Sequence, residues 1–167
     1  MLTVGRFQRI GMVICACVPC LFLQGCGPAQ VGFTGISKSS NGELLGVVQV
    51  CRSGVDKAVL RAADAGVKVQ WRRSSPVRGV SVWPLEAGGD WWERSGDPGI
   101  LRQNHTFRLT AYRGDSSITV RVESDQNKLA LLTAGQVLFR YSAPGASGYG
   151  KDRIASLAKF RRLACSK

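Results

Sequence analysis

The sequence predicts a mainly β protein: a small antiparallel β-sandwich-like domain with a short C-terminal helix, after a cleaved N-terminal leader. Three observations carry this expectation. Short runs such as Phe107-Arg108-Leu109-Thr110-Ala111 alternate apolar and polar residues and are separated by turn residues, as strands with one wet face do. Helical spacing is scarce and is clearest near the end of the chain, where Leu157, Phe160 and Ala164 share one face. The first 25 residues differ in kind from the rest, being basic and then apolar.

Met1 to Arg9 carries two arginines and no acid, and Ile10 to Leu23 is apolar over 14 residues. A basic start, a short apolar run and a small residue before a cleavage point make an export signal. Spanning a bilayer takes about 20 residues, and Pro19 further weakens a membrane helix. The segment Leu23-Gln24-Gly25-Cys26 resembles the lipobox of bacterial lipoprotein precursors, with Gln24 where a smaller residue is usual. The resemblance implies cleavage before Cys26, a diacylglycerol on its sulfur, and attachment to the outer face of the cell membrane, with a secreted form as the alternative. Two acyl chains hold stably where one binds only marginally. Cys15, Cys17 and Cys20 lie in the apolar run and are removed with the leader, so no metal site is expected of them.

Removing residues 1–25 from 167 leaves 142, enough for one domain with a real core. Arg6 and Arg9 are the leader's only charges, so cleavage takes the formal charge from +12 to +10. Such an excess favours anionic partners, and outside the cytoplasm nucleic acid is not among those expected. Three cysteines remain. With Cys26 lipidated, Cys51 and Cys165 form the natural disulfide of an exported protein, two buried free thiols being the alternative.

Residues 26–42, rich in Gly and Ser without periodicity, read as a flexible tether, and 43–167 as the β domain. Leu44 to Cys51 is nearly continuously apolar, as a strand buried on both faces would be. Period-two strands follow around Val67–Trp71, Val80–Val82, Phe107–Ala111, Ile118–Val122 and Val137–Tyr141, with a turn at Arg113–Ser116. Such regular spacing suits a sandwich or barrel. Ser124 to Leu132 has room for one or two helical turns. Lys159, Arg161 and Arg162 suit the C-terminal end of the last helix, by the dipole or as a contact for anionic lipid or polymer.

Chemistry-bearing motifs are sparse. Gly145 to Lys151 fits G-x-x-x-x-G-K, but Asp152 stands where a phosphate-binding loop needs Ser or Thr. The segment reads instead as a loop before the last helix, with Asp152 as its cap. His105 is the single histidine, and no G-x-S-x-G serine accompanies it. No catalytic residue, metal ligand or cofactor is assigned. Glu86, Asp90, Glu93 and Asp97 crowd a Gly-rich loop with Trp83, Trp91 and Trp92, the alternative being a small glycan-acting enzyme that uses these carboxylates. Adjacent tryptophans cannot both face one side of a strand, so one of Trp91 and Trp92 is a candidate ligand platform, beside Asp90 and Glu93. Trp71 and Trp83 read as core. Arg72, Arg73 and Arg78 form the other candidate surface.

Gly99, Phe107-Arg108-Leu109, the Gly114-Asp115-Ser116 turn, the Ile/Val strand, Leu129–Leu132, Gly135-Gln136-Val137 and Phe160–Cys165 resemble, over residues 99–165, small lipoproteins of high-GC Gram-positive bacteria. The resemblance implies location and the disulfide, and no activity. The expectation is a membrane-anchored, non-enzymatic binding or structural module of the cell envelope. Its partner would be an anionic envelope polymer, a glycan or a secreted protein, the last making it an inhibitor or immunity-type protein.

Overall fold

A computed structural model describes residues 27–62, 66, 68–89, 91–141 and 150–166. Cys26 and the leader lie outside the described residues, as do Asp90 and most of the Gly145–Lys151 loop. The chain is mainly β with a short C-terminal helix. The strands are β1 (Ala29–Lys38), β2 (Leu44–Ala62), β3 (Lys68–Pro84), β4 (Glu93–Ser95), β5 (Phe107–Arg113), β6 (Ser117–Val120), β7 (Val122–Ser124), β8 (Gln136–Tyr141) and β9 (Lys151–Ser156). Helix α1 covers Gln126–Ala130 and α2 covers Leu157–Ala164.

The sandwich comes from one long hairpin that folds over itself. β2 pairs with β3 along both its halves, with register shifts between Val50 and Lys57. There Ser53 takes a positive φ of 59° and Gly79 one of 78°. The first half of β2 pairs with β1 and the second half with β5. The two halves therefore face each other across the main core. Val48 and Val50 from one layer meet Ala58, Leu60, Val69 and Trp71 from the other. Trp71 meets Trp83 edge-on at 6.1 Å between ring centroids. β5 pairs with β6, and β6 with β1, which closes a ring back to β2. The β1–β6 pair is parallel, so the sheet is not wholly antiparallel.

The tether expected over residues 26–42 is corrected from Ala29 onward. β1 is an interior strand, bonded to β2 on one edge and to β6 and β8 on the other, and buried from Val31 to Ser37. Its glycines are packing residues. A Cβ on Gly32 would collide with the Gln49 carbonyl, and one on Gly35 with Val137. The Val80–Val82 run and the first run from Lys68 to Trp71 belong to the single strand β3, Val67 lying outside the described residues, and the Ile118–Val122 run breaks at Arg121, where the chain leaves β1 and continues along β5.

A second, smaller core lies on the outer face of the β1–β2–β8 layer. Phe33, Val47, Val137 and Phe139 are covered by Phe160 and Ala164 of α2. Phe139 and Phe160 meet edge-on at 5.0 Å. Val47 and Val48 thus face opposite cores, which is why the Leu44–Cys51 run is apolar on both phases. The Ser156 hydroxyl, not Asp152, caps α2, accepting from the Lys159 N–H at 3.3 Å. Asp152 sits within β9, bonded to Lys128 Nζ at 2.7 Å and Arg140 Nε at 3.0 Å. Burial pushes its carboxyl up, but these two cations outweigh that and hold it below its ordinary value. Just beyond α2, Cys165 is bonded to Cys51, with 5.4 Å between Cα atoms. The disulfide pins the end of the helix to the bend of β2.

Candidate functional site

Among the described residues, no helix covers the outer face of the other layer. In β2, Ala58, Leu60 and Ala62 point into the core, so Lys57, Val59 and Arg61 point out. Register then builds three rows. Arg61 stands opposite Lys68 on β3 and Arg108 on β5, and Arg108 opposite Glu123 on β7. Val59 stands between Gln70 and Thr110. Lys57 stands between Arg72 and Tyr112, and Arg72 opposite Glu93 on β4. Two rows therefore set cation directly against cation, an arrangement that destabilises a sheet.

Two shallow basins mark this face. One, of about 240 Å³, is floored by Val59 and Thr110 and rimmed by Arg61, Arg108, Tyr112 and Arg121. Val59 is only 3% exposed although no helix covers it among the described residues, because the stems of the long side chains around it shield it. The second basin, of about 330 Å³, is lined by Asp56, Lys57, Arg72, Arg73 and Gly114. Lys57 lies over the Tyr112 ring at 5.7 Å, joining the two basins. Among the described residues, Arg108 is the cation of these rows that is ion-paired, through Nε to Glu123 at 2.7 Å. The Arg108 hydrogen bond holds the Glu123 carboxyl below its ordinary value, and Arg121 and Arg140 add to this.

The candidate residues named from sequence are distributed as follows. Arg72 and Arg73 share the second basin, while Arg78 is exposed near the bend and lines neither. The tryptophan pair divides as alternation requires. Trp92 is 1% exposed, stacks on Trp83 at 4.5 Å and donates through Nε1 to the Ser81 hydroxyl at 3.0 Å. It is a core residue and not a ligand platform. Trp91 is 80% exposed at a φ of 71°, a left-handed conformation that a bulky side chain rarely adopts. It belongs to a tight turn closed by the Gly89–Trp92 bridge. Asp90 lies outside the described residues.

The carboxylates of the 86–97 loop do not converge on a reaction centre among the described residues. Glu86 is bonded to Arg102 at 2.7 Å, and that hydrogen bond holds its carboxyl below its ordinary value. An acid so held is ionised at neutral pH and has no proton to give a leaving group. Asp97 accepts from the Gly99 N–H at 2.8 Å. Glu93 is exposed on β4 beside Arg72. His105 Nε2 lies 2.9 Å from the Gln103 amide oxygen. Among the described residues, no group of three His, Cys, Asp or Glu is placed to hold a metal ion.

Sequence reasoning missed Lys57, Arg61, Arg108, Thr110, Tyr112 and Arg121 as members of a site. Their signal was present in the polar phase of the alternating strands, but only the register brings them together. No protein-family model, curated protein or solved structure matches the chain.

Proposed function

We propose that the protein is an exported lipoprotein, anchored through Cys26 to the outer face of the cell membrane, whose β domain binds an anionic envelope component and performs no catalysis. The observation that carries the binding part is the bare cationic sheet face, where Lys57, Arg61, Lys68, Arg72 and Arg108 stand on three adjacent strands. A rigid sheet holds these charges in place, so a complementary ligand orders few side chains on binding. The lipobox-like segment and the Cys51–Cys165 bond support an oxidising location.

An intact mass of the protein extracted from the membranes of its host tests the anchor. The expected species begins at Cys26, carries a diacylglycerol and stays with membranes through a high-salt wash. A soluble species that retains residues 1–25 would overturn the location.

A further inference from the structure

We infer that the two basins form one binding track for a linear, phosphate-bearing polymer of the alditol-phosphate type. The inference rests on the binding-module reading of this face and is independent of the anchor. Arg61, Arg108 and Arg121 line one basin, and Lys57, Arg72 and Arg73 outnumber Asp56 in the next. Guanidinium groups bind phosphate oxygens through paired N–H donors, and the Thr110 and Tyr112 hydroxyls add donors at the floor and rim. The basins follow one another along β2, from Arg61 to Lys57, so a ligand filling both must repeat its charge along its length. The apolar stems of the arginines that shield Val59 line the first basin and suit the uncharged carbon segment between phosphates.

Crowding of like charges favours an anionic ligand on this face. Arg61 faces cations on both neighbouring strands, and so does Lys57 on one. A polyanion relieves that repulsion where a neutral glycan does not. Tyr112 lies against Lys57, and among the described residues no tryptophan or phenylalanine lines either basin. Among the described residues Tyr112 is thus the one ring the basins offer, already covered by Lys57, where single-stranded nucleic acid uses a succession of stacking platforms.

The test uses the purified full chain with its disulfide formed, titrated with glycerol-phosphate oligomers at fixed ionic strength. Substituting Arg61→Gln, Arg108→Gln and Arg121→Gln together is expected to weaken binding at least about tenfold. Removing three cations elsewhere, Arg52→Gln, Lys151→Gln and Arg153→Gln, is expected to weaken it less than about threefold. The Arg61→Lys, Arg108→Lys, Arg121→Lys variant, which keeps the charge, should fall between them. If the triple Gln variant loses its melting transition, Arg61→Gln alone is read, with weaker binding expected at an undiminished melting temperature. Equal losses in the on-face and off-face triples would overturn the track in favour of net charge. Equal or tighter binding of poly-glutamate, a thymidine oligonucleotide or phosphatidylglycerol vesicles would overturn the polymer class. If the mass measurement fails while oligomer binding follows this pattern, the location falls and the track stands.

Discussion

The two outer faces of the sandwich are made from the same kind of strand and finished in opposite ways. On the β1–β2–β8 layer the outward residues Phe33, Val47, Val137 and Phe139 are apolar, and α2 with its disulfide closes over them. On the β3–β2–β5 layer the outward residues include Lys57, Arg61, Lys68, Arg72 and Arg108, and among the described residues no helix lies on them. An apolar outer phase must be buried by something, because exposing it costs about 25 cal/mol per Å². A polar outer phase needs no cover, but this one gathers charges that repel. One face thus holds the domain together, while the other lowers its stability slightly and presents a surface.

That contrast can be broken most forcefully at the covered face. Replacing Cys51 and Cys165 by Ser together opens a loop of 114 residues, which chain-entropy reasoning sets at about 4–5 kcal/mol. Urea unfolding should show that loss, with dye binding reporting the uncovered Phe139 cluster. Phe160→Ala leaves the helix clamped but empties its contact, and should cost about 3–5 kcal/mol in the same measurement. Asp152 sharpens the comparison through pH. Its carboxyl is held below its ordinary value by Lys128 and Arg140, so the folded state binds that proton less readily than the unfolded one. The stability it contributes is full above the ordinary carboxylate range and is lost as pH falls through that range to the lowered value. The loss, on the order of 1 kcal/mol, should vanish from melting-temperature profiles of Asp152→Asn. The smallest effect belongs to the bare face and has the opposite sign. Arg61→Gln removes a cation set between Lys68 and Arg108 and should raise stability by about 0.5 kcal/mol while weakening anion binding. A fall of similar size would mean that Arg61 serves the fold through its cover of Val59.

The sequence announced strands whose apolar residues recur with period two. Phe107–Ala111 and Val137–Tyr141 fall within β5 and β8. It concealed two others for different reasons. β1 is buried on both faces and needs Gly32 and Gly35 for close approach, so its packing glycines looked like those of a linker. β9 is mostly polar because it lies at the edge of the sheet, outside β8. The disulfide followed from counting cysteines. The candidate face did not follow from anything local, since Arg61, Lys68 and Arg108 come from three strands and meet only through register. Trp91 and Trp92 show the same limit: alternation required one of them to face out, and only the turn at Gly89 decided which.

The start of β1 also fixes a distance. The Ala29 N–H is already bonded to the Ser116 carbonyl at 3.0 Å, so Gly27 and Pro28 alone separate Cys26 from the folded domain. Three peptide steps reach at most about 10 Å, and the proline stiffens one of them. A lipid on Cys26 would therefore seat the domain against the bilayer with the Arg113–Ser116 turn nearest the headgroups, like a bracket bolted to a wall. Its cationic face would then sample only the layer next to the headgroups.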